Sequence, residues 1–129
     1  MYKELVISII IIIAIFSLDF VTQKYADKSI GEISTKLENL KGKIQNDNVN
    51  AEEANKEIND LYELWNKFHE KLAFYIEHDE LEKVETQFTA SKSLIGTKEY
   101  HFAIESIDKT IFILDHINDK YSFSLENIF

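Results

Sequence analysis

The 129-residue chain contains no cysteine, no proline and no arginine, and it has only three glycines. Without cysteine it can form no disulfide, attach no lipid through a thiol and perform no thiol catalysis. Sheets depend on turns rich in glycine, proline and Asn-Gly pairs, which this chain almost lacks. These absences predict an all-α fold. The many isoleucines and asparagines, with lysine in place of arginine, are typical of an AT-rich bacterial genome.

One long apolar run lies near the amino terminus, over residues 5–21. Its polar residues are two serines and one aspartate, and isoleucine dominates the rest. A helix over this run would span about 25 Å, close to the ~30 Å hydrocarbon core of a bilayer. The run therefore predicts a transmembrane anchor over residues 1–22, which contacts membrane lipid through residues 5–21. A helical bundle domain is expected over residues 23–129.

Two other interpretations of the run stay open. A cleaved secretory signal peptide has a charged start and a short apolar segment, as here, but also paired small residues before its cleavage site. Residues 15–18, Ile-Phe-Ser-Leu, lack that pairing. The other interpretation is a helix buried in the core of the domain. We favour an uncleaved anchor.

The charges that flank the run do not decide its orientation. Lys3 precedes it, whereas Lys24, Lys28 and Lys36 follow it, and the cytoplasmic flank is usually the more basic one. A very short charged head followed at once by an apolar run has the layout of a signal sequence, which favours a cytoplasmic amino terminus. We therefore expect a single-pass protein of the cell membrane whose carboxy-terminal domain is extracytoplasmic.

The domain that follows the anchor is acidic. Beyond Val21 the sequence has 21 acidic residues and 13 lysines, which gives a net charge of −8. Such a domain repels the phosphates of nucleic acids, so no nucleic-acid partner is expected.

Apolar residues beyond the anchor recur at alternating spacings of three and four. Ala54, Ile58, Leu61, Trp65 and Phe68 form one such stripe, and this period places them on one face of a helix. Similar stripes predict helices at about residues 4–45, 51–77, 80–95 and 98–120. The short loops between them predict an antiparallel bundle of about four helices.

Trp65 and Phe68 are expected to lie buried between the helices of this bundle. Such bulky side chains rarely fit the narrow seam of an extended coiled-coil rod, which is the alternative architecture. A tetratricopeptide-like hairpin is a second alternative, but its repeat would occur only once here.

Local signals mark the ends of the helices. Asn50 is a favourable N-cap for the second helix. The segment Asp79–Glu82 resembles a capping box, which predicts that a new helix or a sharp kink starts there. Gly96 is expected to take the left-handed conformation that ends the third helix, and Thr97 is expected to cap the fourth.

The carboxy-terminal segment 121–129 is unusually apolar. It places Phe123, Leu125, Ile128 and Phe129 beyond the last predicted helix. Exposed apolar ends usually fray or dock. We expect these side chains to fold back onto the end of the bundle, and the alternative is that they dock on a partner.

The sequence contains no recognisable catalytic or metal-binding motif. The histidines are His69, His78, His101 and His116, and none stands in a Glu-x-x-His or His-Glu-x-x-His pattern. Carboxylate pairs are frequent, but they are expected on the polar faces of acidic helices. We therefore expect no enzymatic activity, no metal ion and no cofactor.

Several features together resemble a family of bacterial membrane-anchored proteins, the domain of unknown function 4363. They are the amino-terminal anchor, Trp65 with Lys67 and Phe68, the segment 75–81 (Tyr-Ile-Glu-His-Asp-Glu-Leu) and the terminal segment 125–129 (Leu-Glu-Asn-Ile-Phe). The likeness covers nearly the whole chain. It implies an anchored helical protein and supplies no catalytic residues.

These observations predict a membrane-anchored helical-bundle protein that acts as a protein-interaction, accessory or scaffold subunit in the cell envelope. The expected partner is a membrane or envelope protein. Two alternatives are an extracytoplasmic ligand-binding sensor module and a structural bitopic coiled-coil protein. The sensor is less favoured because only about four residues precede the apolar run, and the coiled coil because the loops and aromatic residues fit it poorly.

Overall fold

The computed structural model describes residues 1–74 and 76–126 and, within them, the side chains up to Tyr121. It contains four helices, which are α1 (Tyr2–Gln45), α2 (Ala51–Leu72), α3 (His78–Gly96) and α4 (Tyr100–Glu126). No strand occurs in the described part of the chain. The all-α bundle that the sequence predicts is confirmed.

The helices form an antiparallel bundle in which each packs against its neighbours along the chain and α4 closes against α1. Two ion pairs show how α1 is aligned along its length with α2 and α4. Lys43 Nζ lies 3.3 Å from a carboxylate oxygen of Glu57 in α2, and Lys41 Nζ lies 2.8 Å from Asp108 Oδ1 in α4. Exposed pairs of this kind contribute at most ~1 kcal/mol each. The bundle therefore depends on its apolar core for stability.

Helix α1 consists of two halves with different surroundings. It is 44 residues long, about 66 Å at the usual rise of an α-helix. Its side chains up to Val21 are exposed, whereas Ala26, Ile30 and Ile33 are buried in the bundle. The first half projects beyond the bundle, and the second half is one of the four packed helices.

The apolar stripes predicted from the sequence supply the core. Trp65 is fully buried, as expected. Phe68 is only half-buried, because it lies near the end of α2, where the Tyr25 ring meets it edge-on with centroids 6.1 Å apart. The other large buried side chains are Ile30, Ile33, Leu37, Leu40, Ile58, Leu72, Leu81, Phe88, Ile95, Ile107 and Leu114.

Helix α3 ends in a Schellman turn. The N–H of Lys98 donates to the Ile95 carbonyl, and the N–H of Glu99 donates to the Leu94 carbonyl, at 3.1 and 2.9 Å. The left-handed residue is Lys98, with φ of 62°. The predicted left-handed conformation of Gly96 is therefore wrong, since Gly96 is the last residue of the helix. The hydrogen bonds of the turn fix the left-handed position, and a lysine occupies it despite its steric cost.

Thr97 does not cap α4 as expected. It is the C-cap residue of α3, and its hydroxyl donates to the carboxylate of Glu99 at 2.6 Å. Helix α4 begins at Tyr100, and the N–H of Ala103 donates to the Glu99 carbonyl at 2.9 Å. The helix starts two residues later than predicted because the Schellman turn uses the residues from Thr97 to Glu99.

The connection between α2 and α3 differs from the prediction. Helix α2 ends at Leu72, five residues earlier than expected, and α3 begins at His78. The N-cap residue is Glu77, which makes no side-chain capping hydrogen bond, so the capping box predicted at Asp79–Glu82 is wrong. Both Leu72 and Ile76 are buried, and the early turn allows both side chains to reach the core.

The predicted N-cap of α2 is confirmed. Asn50 Oδ1 accepts a hydrogen bond from the N–H of Glu53 at 2.8 Å. Glu52 and Glu53 lie in the first turn, where carboxylates interact favourably with the positive end of the helix dipole.

We predict that Lys98→Gly stabilises the bundle by about 0.5–1 kcal/mol, because glycine takes the left-handed conformation without steric cost. Lys98→Ala is the matched control, since it removes the same side chain and keeps the strain. Denaturant unfolding of the chain in mild detergent measures both. Equal free energies of unfolding for the two variants would contradict the assignment of strain to Lys98.

Candidate functional site

The apolar half of α1 is the first candidate for a functional surface. The amino-terminal part of this helix is long and apolar enough to cross a membrane. None of that apolar stretch is buried against the rest of the described chain. The interpretation of residues 5–21 as a buried core helix is therefore wrong. The exposed side chains include seven isoleucines within residues 7–15.

The four histidines do not come together. His78, His101 and His116 are exposed on different helices or turns of helix, and His69 is half-buried beside Trp65, with ring centroids 5.9 Å apart. His78 Nε2 lies 3.8 Å from a carboxylate oxygen of Glu82, one helical turn away. Among residues 1–74 and 76–126, no group of three or more histidine and acidic side chains could hold a metal ion.

A polar and aromatic cluster joins α2 to α3. The carboxylate of Glu85 accepts a hydrogen bond from Trp65 Nε1 at 2.9 Å and a short one from the Tyr62 hydroxyl. The Phe88 ring stacks on Trp65 at an interplanar angle of 19° and meets Tyr62 edge-on. Lys92 Nζ lies 4.2 Å from the centroid of the Tyr62 ring. These residues form the Glu85 cluster.

The Glu85 cluster has a structural role. A buried indole and a half-buried phenol need acceptors, and one carboxylate supplies both. The hydrogen bond to Glu85 raises the pKa of Tyr62 above its ordinary value, with burial adding to the effect. The cluster therefore fixes the packing of α2 on α3.

An open groove between α3 and α4 is the strongest candidate for binding. Its volume is about 290 Å³. Phe112 stands at its side with 73% of its surface exposed, while Ile113 is half-buried and Ile117 is buried. The polar side chains around it come from both helices. The groove is lined by Glu80, Lys83, Phe112, Ile113, His116 and Ile117.

A buried carboxylate lies at one end of this groove. Glu80 is only 9% exposed, and its Oε1 accepts a hydrogen bond from Lys120 Nζ at 3.2 Å. That hydrogen bond raises the pKa of Lys120. The other oxygen of Glu80, Oε2, is buried without a hydrogen-bond partner in the described protein. The groove thus joins an apolar floor to an acidic end.

The sequence did not reveal the groove. Phe112 lies off the apolar stripe of α4, beside Ile111, and such an isolated exposed phenylalanine gives only a weak signal. Glu80 belongs to the segment that the sequence predicts to form a capping box, whereas it pairs with Lys120 on the adjacent helix α4. The sequence signal for the buried position of Glu80 is its place directly before Leu81, which is itself buried.

The predicted tail contacts fall outside what the structure describes. Helix α4 continues to Glu126, so Phe123 and Leu125 belong to the helix and do not follow it as predicted. Residues 121–126 contain no glycine or proline that would end the helix. The side-chain contacts of Phe123 and Leu125, and the positions of Ile128 and Phe129, lie outside the described residues.

Comparison with known proteins identifies one family. A family model described as a domain of unknown function (DUF4363) matches residues 20–128. Comparison with curated proteins and with solved structures gave no match. Since the matched region covers more than half of the chain, the chain belongs to the DUF4363 family, and the resemblance inferred from the sequence is confirmed.

We predict that Tyr62 ionises above the ordinary pKa of a tyrosine and that its ionisation destabilises the fold. Its pKa is raised in the folded protein, so the stabilisation from its hydrogen bond is complete below about pH 10 and is lost as the pH rises through the raised value. Tyr62→Phe should remove a late component, one that titrates above the ordinary tyrosine pKa, from a spectrophotometric tyrosine titration.

The same variant should lose less stability above pH 10 than the wild-type chain does. Tyr2→Phe, which alters an exposed tyrosine outside the bundle, serves as the control and should leave both the late component and the loss of stability above pH 10 unchanged. A late component that survives in Tyr62→Phe would show that the hydrogen bond to Glu85 does not control the titration.

Proposed function

We propose that this member of the DUF4363 family is a single-pass membrane protein whose helical bundle acts as a protein-interaction subunit in the cell envelope. The observation that carries the proposal is the division of α1 into an exposed apolar half and a packed half within one helix. Residues 5–21 are exposed to their surroundings, and a bilayer is the environment in which such a surface is stable.

The proposed orientation places the amino terminus in the cytoplasm and the bundle outside it. The layout of a short charged head before the apolar run supports this orientation. The bundle itself is acidic, which disfavours attachment to anionic lipid or nucleic acid through surface charge. A contact with another protein is the more favourable role for such a domain.

The groove between α3 and α4 is the proposed interaction surface. It runs between two antiparallel helices, a shape that accepts the apolar face of an amphipathic helix. Phe112 and Ile113 would contact apolar side chains of that helix. The open groove of about 290 Å³ lies at the lower limit of small-molecule pockets, which favours a protein partner over a sensor ligand.

We predict that a reporter active only outside the cytoplasm is active when fused after Phe129. The chain should also stay in the membrane pellet after an alkaline carbonate wash, because residues 5–21 remain attached. Mass measurement of the chain purified from membranes checks for cleavage. An inactive reporter would overturn the orientation, and a mass that shows loss of the apolar run would replace the anchor by a signal peptide.

We predict that a photo-crosslinking amino acid at position 112 captures a discrete envelope protein and that the same group at position 102 does not. Phe102 is the matched control, since it is another exposed phenylalanine on α4 but lies outside the groove. Phe112→Asp should weaken co-purification of the captured protein at least tenfold, whereas Phe102→Asp should not. Equal capture at both positions would contradict a specific groove.

A further inference from the structure

The turn between α2 and α3 exposes one large apolar side chain. Phe74 is 89% exposed, whereas Leu72 and Ile76, two residues before and after it, are buried in the core. The N–H of Phe74 donates to the Lys71 carbonyl at 3.2 Å, which holds the backbone of the turn at this point. An exposed phenylalanine whose own backbone N–H is hydrogen-bonded is a candidate contact surface.

This turn lies at the end of the bundle from which the apolar half of α1 emerges. The Tyr25 ring contacts the Phe68 ring, and Lys71 Nζ lies 5.3 Å from the Tyr25 ring centroid. Because α1 and α2 are antiparallel, a residue later in α2 lies beside an earlier residue of α1. Phe74 follows Phe68 and Lys71 in the chain, so it lies level with about residues 19–22 of α1. Phe74 therefore lies at the level where the apolar run ends.

We propose that Phe74 inserts into the interfacial layer of the same bilayer that holds residues 5–21, so that the protein contacts lipid at two points. This inference rests on the proposed membrane insertion of α1. Phenylalanine is among the side chains that interfacial segments bury about 5–10 Å into the boundary between headgroups and acyl chains. Phe20, which is 60% exposed on α1, marks that depth in this chain.

The geometry tolerates a tilted anchor. Packed helices lie ~10 Å apart and transmembrane helices tilt by ~20° on average, so tilting moves Phe74 by only about 3 Å along the membrane normal. Phe74 thus stays within the interfacial layer for ordinary tilts of α1 in either direction.

The lipid contact is apolar in character. Lys24 and Lys71 are exposed near this level, but so are the carboxylates of Asp19, Glu70 and Glu77. These charges offset one another, so the turn carries no basic patch that would select anionic lipid. Insertion should therefore be the same in neutral and in anionic bilayers.

The absence of cysteine makes this inference directly testable. Single cysteines introduced as Phe74→Cys, Phe20→Cys and Phe102→Cys each give one labelling site for a solvent-sensitive fluorophore. The 129-residue chain is reconstituted into phosphatidylcholine vesicles with and without a spin-labelled phosphatidylcholine that quenches fluorescence within the bilayer. Phe102 is the matched control, since α4 begins at the opposite end of the bundle.

We expect quenching at position 74 to be comparable to that at position 20 and several times that at position 102. Quenching at position 20 but not at 74 would overturn the inference and leave the anchor intact. Absence of quenching at position 20 would overturn membrane insertion of α1 and this inference with it. Quenching at position 74 that appears only after phosphatidylglycerol is added would replace apolar insertion by electrostatic attachment and so overturn it.

Discussion

The continuity of α1 is the constraint on which the rest of the structure depends. One helix carries the exposed apolar run and then supplies one of the four faces of the core, with no glycine or proline between Asp19 and Ile30. Bending such a helix breaks backbone hydrogen bonds, and sharp bends usually occur at proline or glycine, which this segment lacks. The direction of the apolar half therefore fixes the direction of the bundle, and in the proposed arrangement the anchor sets how the domain stands on the membrane.

Specific polar contacts decide how the other three helices meet α1 and one another. Apolar stripes alone would allow neighbouring helices to slide by one turn, because successive isoleucines and leucines are nearly equivalent. Glu85 prevents this between α2 and α3, since one carboxylate must meet both Trp65 and Tyr62. Glu80 has a similar effect on α3 and α4 through Lys120, although it keeps one buried oxygen unpaired. These contacts stabilise one register of the core.

The helices and their buried faces were predictable from the sequence. Burying one face of a helix requires apolar residues at alternating spacings of three and four along the chain, and this pattern is visible in the sequence. The cap at Asn50 was predictable for a similar reason, since its hydrogen bond spans only three residues. The end of α3 was not predictable in the same way. Glycine is the usual left-handed residue, yet Lys98 takes that position while Gly96 stays helical. The hydrogen-bonding geometry of the turn overrode residue preference.

The candidate surfaces were less predictable than the helices, because each depends on residues that only the fold brings together. Phe112 and Glu80 are 32 positions apart in the sequence, and both line one groove. Phe74 lies level with Val21 only because α2 packs against α1. The sequence could show that these side chains exist, but not that they share a surface or a depth. The apolar tail, which the sequence predicts to fold back onto the bundle or to dock on a partner, is a separate surface from the described groove on α3 and α4.

The register of the bundle also limits which partner could use the groove. The ion pair of Lys41 with Asp108 places Phe112 opposite about residue 37 of α1. Residue 37 lies 16 positions beyond Val21, a rise of about 24 Å along the helix. In the proposed arrangement the groove therefore stands well clear of the hydrocarbon core. A partner must then reach it with a segment outside the bilayer, so a helix confined to the membrane could pack against residues 5–21 but could not occupy the groove.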